Sequence, residues 1–330
     1  MKKIIITLIC LIIVILGALW VSNKNTDNTK LKKVKVAEVT HSIFYAPQYL
    51  AHSLGYFEDE GLDVEIILTS GADAVAAAVM SGDVQIGFCG SEQTIYIYNR
   101  GASDYLVNFS ALTKKDGSFL LARSKSDNFK IEDLKGSHII AGRKGGMPAM
   151  TLEWILNQNG IKTDDVNFDT SIAFAAISGA FIGGTGDYVS LFEPTALSLE
   201  QQEKGYVVAS LGELGGVVPY TAYNAKKSYI EKNPDVIEGF TKAIDRALEF
   251  VKNHSEEEIA DAIINYFPDV TYNDLVKIVR RYMDIDAWYE NSFINEKDFN
   301  HIQDIMENAK ELEKRAPYEK LVDTTYMKHD

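Results

Sequence analysis

The residues of this chain that could do chemistry gather in a few short loops. On the N-terminal side these are His41-Ser42-Ile43-Phe44-Tyr45, Ser70-Gly71-Ala72 and Gly90-Ser91-Glu92. They combine aromatic rings, hydroxyls, a carboxylate and glycines. That is the make-up of a small-molecule pocket, where rings stack on the ligand and a few polar atoms fix its orientation. Farther along, Gly142-Arg-Lys-Gly-Gly-Met-Pro148 follows a strand and opens a helix. Gly145 and Gly146 let backbone N–H groups approach a ligand beside Met147, and the helix dipole adds partial positive charge. The same residues also suit a plain strand-to-helix turn. Glu193, before Pro194, stands at a strand end, where a carboxylate accepts hydrogen bonds from an amino or ring N–H group. Its alternative role is to cap the next helix. Glu92 has the same two options, since a helix dipole favours negative charge at its position. Tyr96, Tyr188 and Tyr220 join Phe44 and Tyr45 at or near the cleft edges. If either carboxylate lines the site, a small inorganic anion such as nitrate is disfavoured by like charge.

Other chemistries lack their motifs. Ser91 and His41 could be imagined as nucleophile and base, but there is no G-x-S-x-G elbow. The G-x-x-x-x-G-K-[ST] spacing of a phosphate loop is absent. Cys89 alone cannot build a zinc cluster, and a lone His41 suits a structural hydrogen bond. No catalytic residue, metal or cofactor is expected. The net charge of −14 and the lack of a Lys/Arg-rich run argue against a nucleic-acid partner.

The elements that must hold these loops alternate. Val34–Val39 and Leu62–Leu68 read as strands separated by helical sequence, which predicts a parallel sheet with helices on both faces. Ligands of such sheets bind at the carboxyl ends of the strands. An internal echo extends the pattern. Ala74–Ser91 and Ala176–Thr195 each run from a small-residue helix through Gly-Asp to a strand ending in Phe88 or Phe192. Two α/β lobes facing each other across a cleft are therefore expected. The second lobe should contain a strand at His138–Ala141 and a helix at Met147–Asn159 ended by Gly160. A helix at Ser171–Phe181, a strand at Asp187–Phe192, a helix at Pro194–Lys204 and a strand at Tyr206–Ala209 follow. Ser118–Arg123 and Pro219–Asn224 are the strands expected to cross the hinge. The boundaries read as residues 1–33 for an N-terminal segment, 34–123 for the first part of lobe 1 and 124–218 for lobe 2. Residues 219–330 return to lobe 1 and end in helices. Asn233-Pro234, Ser255-Glu-Glu-Glu258 and Thr271-x-x-Asp274 are helix starts, and Asn295–Leu312 is a further helix.

Met1-Lys2-Lys3 precedes an uncharged run from Ile4 to Val21. At about 1.5 Å per residue it just spans the roughly 30 Å hydrocarbon core. An uncleaved anchor is the favoured reading, with Lys2 and Lys3 inside and the body outside the cell membrane. Cleavage as a signal near Gly17-Ala18, or lipidation of Cys10, are the alternatives. Ser22–Lys33 reads as a tether. Cys10 and Cys89, the two cysteines of the chain, cannot sensibly pair, so core burial must hold the body together.

One stretch resembles a known family. Tyr45-Ala-Pro-Gln-Tyr-Leu-Ala, then Gly55-Tyr-Phe-Glu-Asp-Glu-Gly-Leu-Asp-Val-Glu65 and Ser81-Gly-Asp-Val-Gln-Ile-Gly-Phe88, are similar to the SsuA/THI5-like (NMT1-like) solute receptors of ABC importers. The resemblance covers Lys33 to about Phe250. It implies a periplasmic-binding-protein-like fold of two α/β lobes, hinge strands and C-terminal helices. It also implies a monomer that delivers a small ligand to an ABC transporter permease. Nitrate, sulfonate and thiamine-pyrimidine-precursor receptors share the scaffold. A nitrogen heterocycle is the ligand expected here, sulfonate- or nitrate-type anions are the alternative, and a membrane-tethered sensor is the rival class. A family member that makes thiamine pyrimidine uses a self-consumed histidine and a cysteine-rich motif; the latter is missing here, so that activity is not carried over.

Overall fold

A computed structural model describes residues 30–329. The anchor run Ile4–Val21, Cys10 and most of the tether lie outside the described residues. Among the described residues no helix is long and apolar enough to cross a membrane.

Two five-stranded sheets form the frame. The first contains β1 (Lys32–Glu38), β2 (Leu62–Leu68), β3 (Ile86–Gly90), β4 (Leu106–Thr113) and β10 (Thr221–Lys226), in the order β2-β1-β3-β10-β4. The second contains β5 (Ser118–Ala122), β6 (His138–Ile140), β7 (Asn167–Asp169), β8 (Tyr188–Phe192) and β9 (Tyr206–Ser210), in the order β7-β6-β8-β5-β9. The orders correspond position by position, with β3 and β8 central. That match is the physical content of the sequence echo ending in Phe88 and Phe192. The sheets are mixed rather than wholly parallel. β10 runs antiparallel between β3 and β4, and β5 runs antiparallel between β8 and β9. In each sheet a strand arriving from the other lobe inserts against the parallel set, so two crossovers tie the lobes.

Neither expected hinge strand itself crosses. β5 already belongs wholly to the second sheet, so the first crossing is the short segment 114–117, ahead of the expected boundary at 123. The second crossing is 216–220, after which Tyr220 leads into β10. Val218 N–H donates to Lys114 O at 3.0 Å and Tyr220 N–H to Thr113 O at 3.0 Å, so the crossings run side by side.

The helices follow their caps. Helix α1 (Ala46–Ser53) carries Pro47 in its first turn, where a missing N–H costs nothing. α2 (Ala72–Ser81) stops at Gly82, whose φ of +88° suits glycine. α3 (Glu92–Asn99) follows β3, and α4 (Met147–Gln158) follows β6. The helix expected from Ser171 starts later. Ser171 N–H and Oγ donate to Asp169 Oδ1 at 2.8 and 2.6 Å, a local turn that postpones regular helix to Ile177. α5 (Thr195–Gln201), α6 (Pro234–Asn253), α7 (Tyr272–Asp284) and α8 (Glu296–Asn308) complete the set used below. Ser255, Thr271 and Asn295 each accept a backbone N–H three residues on, as their side chains foretell.

The C-terminal helices do more than return to lobe 1. α6 packs on α1 and α7 on the turn Ile43–Tyr45, both in lobe 1, whereas α8 lies against α4 of lobe 2. Asn157 Nδ2 of α4 donates to Asn308 Oδ1 at 3.0 Å. One continuous apolar cluster runs through Phe44, Phe88 and Phe109, across to Phe119, Val189 and Leu191, and into Phe240, Ile278 and Tyr282. The outer faces of the two lobes have separate smaller cores.

Candidate functional site

The carboxyl ends of β1 and β3 meet those of β6 and β8. Ser42, after β1, donates from Oγ to Glu193 O, after β8, at 3.1 Å. The Phe44 and Phe192 rings lie 6.0 Å apart. Tyr96 OH of α3 donates to Gly145 O at 3.3 Å. Helix–loop junctions from both lobes thus converge, and the two crossings pass behind them, with the Tyr220 ring 5.9 Å from Phe44.

Glu92 is the chemically unusual group here. It is 2% exposed, and its Oε2 finds no protein partner. Oε1 accepts from Gln93 Nε2 at 3.1 Å. Burial pushes its carboxyl up from an ordinary 4.5 to about 7, against the opposing pull of Gln93 and Arg143. The carboxyl folds back over Gly90, where a Cβ would come within 2.0 Å of Oε2. A glycine at the end of β3 is therefore what lets this carboxylate occupy the strand end.

A second buried acid sits at the crossings. Asp116 is buried, and Ser118 N–H and Oγ donate to its Oδ1 at 2.7 and 2.5 Å. Tyr220 OH and Thr151 Oγ1 of α4 also hydrogen-bond to this carboxyl, so the four side chains form one buried polar group. Burial raises the Asp116 carboxyl to about 6, with the hydrogen bonds from Ser118, Tyr220 and Thr151 opposing. Hydrogen bonds among buried polar side chains at the junction hold the two crossings in register. Asp116 and Thr151 were not singled out by sequence. A lone acid between two strands carries no motif, and the signal that exposes it is the hinge geometry itself.

The aromatic residues divide. Phe44 and Tyr45 are almost fully buried, Phe44 among Phe192, Tyr220 and Tyr282, and Tyr45 edge-on to Phe88 at 4.4 Å. They wall the junction as core-facing rings. Tyr188 is a correction. It begins β8, whereas the junction lies at its far end, and its ring faces Phe129 instead. At about 3.3 Å per residue the strand separates it from Phe192 by more than 10 Å.

Glu193 is the larger correction. Its Oε1 accepts from Arg281, and its Oε2 accepts from Leu197 N–H at 2.8 Å. Its backbone N–H donates to Tyr282 OH at 3.2 Å. Burial raises its carboxyl while Arg281 pulls the other way. Both oxygens are committed to capping α5 and to an ion pair with α7, so the helix-capping role is the one realised. Arg281 also bonds Glu200 at 2.8 Å, which binds the C-terminal helices to lobe 2. No local pattern could reveal a partner 88 residues away.

The remaining expected residues are tied up in detail. His41 Nε2 donates to Tyr266 O at 2.7 Å, its ring stacks on Phe267, and the Glu38 carboxylate 3.2 Å from Nδ1 raises its pKa. Ser91 Oγ donates to Pro219 O of the second crossing. His41 and Ser91 therefore serve separate partners and form no base–nucleophile pair. Gly146 N–H donates to Arg143 O at 3.0 Å, closing the 142–146 turn on itself, and Met147 is buried beneath it. Gly145 has φ +67° and lies against Tyr96 OH and Glu311.

Beside this junction opens a cavity of about 290 Å³. Its walls come from α2, from Gln93 and Tyr96 of α3 and Arg100 just past its end, and from Arg143, Lys144 and Gly145 of the second lobe. Among the described residues no cluster could hold a metal ion.

The geometry has counterparts in known proteins. The family model described as "NMT1/THI5 like" matches residues 43–258. A Bacillus subtilis protein named "Putative binding protein YtlA" is 45% identical over 88% of this chain and 88% of its own length. The 4-amino-5-hydroxymethyl-2-methylpyrimidine phosphate synthase of Candida albicans is 26% identical over 66% of each chain. Among solved structures, the alkanesulfonate-binding protein SsuA of Xanthomonas axonopodis pv. citri superposes with a TM-score of 0.72 at 15% identity. That match covers 90% of this chain and 99% of SsuA, and at this identity it speaks for the fold.

Proposed function

The chain belongs to the NMT1/THI5-like family, and from that membership we propose that it is a solute receptor of an ABC-type importer. It works outside the cell membrane, held by the N-terminal segment, and hands a small organic ligand to a permease. The lobes close on the ligand about the crossings 114–117 and 216–220, because each lobe supplies part of the site. The observation that carries the reading is Glu92: a buried carboxyl whose Oε2 lacks a protein partner, at the carboxyl end of a central strand, facing a second lobe. Such a group asks for an N–H donor. The ligand is therefore a small amino-bearing molecule, and a nitrogen heterocycle such as a thiamine-pyrimidine precursor fits best. The fungal relatives make a phosphorylated aminopyrimidine, which supports that class of ligand. Receptor rather than catalyst is favoured by the name of the Bacillus relative and by the separate hydrogen bonding of His41 and Ser91.

An anion reading has one observation in its favour, the Arg100, Arg143 and Lys144 side chains around the cavity. Calorimetry separates the two. The protein should bind 4-amino-5-hydroxymethyl-2-methylpyrimidine, and Glu92→Gln should weaken it roughly ten- to hundredfold, the worth of one charged hydrogen bond. Tight binding of nitrate or a simple alkanesulfonate, unaffected or improved in that variant, would replace the heterocycle reading by the anion one.

A further inference from the structure

We infer that the 142–146 loop is an electrostatic clasp between the lobes: it holds the second lobe against the first by pairing Arg143 with Asp73, Lys144 with Glu311 and Gly145 with Tyr96, and it yields to salt. This rests on the receptor reading, in which the lobes must part to exchange ligand, and adds what keeps them together between exchanges.

The loop brings cations to a wall of acids. Gly146 N–H donates to Arg143 O at 3.0 Å, so the turn is held by its own backbone and its side chains reach outward. Arg143 stands 3.8 Å from Asp73, in the first turn of α2, and Lys144 stands 4.0 Å from Glu311, just past α8. Both acids are fastened to the first lobe. α2 packs on β3 and β1. Asn99 Nδ2, at the end of α3, donates to Lys314 O at 2.7 Å and ties the segment after α8 to the same lobe. Between the two pairs, Tyr96 OH donates to Gly145 O at 3.3 Å. Gly145, at φ +67°, makes that approach with no side chain in the way.

These contacts differ in kind from the others between the lobes. Ser42, which donates to Glu193 O, and Phe44 are buried, and Phe44 lies beside Tyr220 of the second crossing. The clasp instead surrounds the cavity of about 290 Å³, whose walls include no residue of either crossing. Contacts set apart from the pivot must separate when the lobes rotate. They are also wet. The side chains of Arg143, Asp73 and Lys144 are exposed, so each pair is weak and is screened by ions. Weak pairs suit a closure that has to release its ligand. A chain of net charge −14 resists compaction by self-repulsion, and a cationic loop against two carboxylates offsets that where the lobes meet.

Charge reversal tests this. Arg143→Asp and Asp73→Arg each turn the pair into a repulsion, and the two together restore it with the charges exchanged. In ligand-free protein at low salt, small-angle scattering should show a larger radius of gyration for either single variant than for wild type. The double variant should return to the wild-type radius. Stopped-flow release of 4-amino-5-hydroxymethyl-2-methylpyrimidine should be up to about fivefold faster in each single variant, the worth of one exposed pair, and normal in the double. Both differences should shrink at about 1 M salt, where the Debye length is about 3 Å. If the single variants keep the wild-type radius and release rate, or the double variant fails to restore them, the clasp is refuted and the receptor reading stands. If the pyrimidine binds no form while the radii follow the charges, the clasp stands and the heterocycle reading falls. Slower release from Asp73→Arg would assign the loop's charge to the ligand and overturn the clasp.

Discussion

Replacing Glu92 by glutamine keeps the shape of the strand end and removes its ionisation. The carboxyl sits at about 7 where 4.5 is ordinary, because burial disfavours its charge. The folded chain therefore holds this proton more tightly than the unfolded chain does. Between those values the folded state binds more protons, and stability falls as pH rises through the window. At about 1.36 kcal/mol per pKa unit, the full shift costs the wild type about 3 kcal/mol once pH exceeds 7. Below about pH 4.5 the effect is gone, since both states are protonated there. Urea unfolding at several pH values should show wild type losing ground to Glu92→Gln by about 3 kcal/mol from pH 4.5 to 8. Asp116, raised to about 6 for the same reason, pushes in the same direction. It is present in both proteins and drops out of their difference. An N–H donor pairs best with the ionised carboxylate, so ligand affinity of the wild type should climb from about pH 5.5 to 8 while the variant stays level. A stability difference that stays constant across the window would show that Glu92 is not the buried, destabilised acid described here.

Gly90→Ala places a methyl where the Glu92 carboxyl rests, so it should abolish ligand binding in calorimetry and cost about 1–3 kcal/mol of stability from overpacking. Arg281→Met strands Glu193 in the interior and should destabilise by about 3–5 kcal/mol in urea. Adding Glu193→Gln should restore much of it, and strict additivity of the two would contradict the pairing. Tyr188→Ala, at the far end of β8, should leave ligand affinity within about twofold, and a larger loss would return Tyr188 to the site. Small-angle scattering should show a smaller radius of gyration at ligand saturation, and an unchanged one would speak against closure about the two crossings.

Much of the fold could be read from local signals. The β-branched run after Lys33, the paired Gly-Asp turns before Phe88 and Phe192, and the caps at Ser255, Thr271 and Asn295 each encode an element within a few residues. They fixed the two-lobe plan because the echo is itself topological. The antiparallel strands β5 and β10 escaped, since strand direction depends on which sheet the chain enters and not on its residue pattern. The position of Gly90, Ser91 and Glu92 at the end of a central strand was legible from the Gly-Asp turn and the strand that precede them. The same signal misled at Glu193, whose local context matches that of Glu92. What separates them is Arg281, a partner remote in sequence that takes up one carboxylate and leaves the other unpaired. Tyr188 failed for a simpler reason: an aromatic residue next to a Gly-Asp turn looks the same at either end of a strand. Asp116, Thr151 and Tyr220 become a group only when the crossings fold together.

Native mass spectrometry of the purified protein, offered an extract of small metabolites, tests the receptor claim most directly. One small amino-bearing molecule should be retained per chain, and lost when Glu92 is replaced by glutamine. A protein that retains nothing from the pool, or that converts one of its components instead of holding it, would contradict the account.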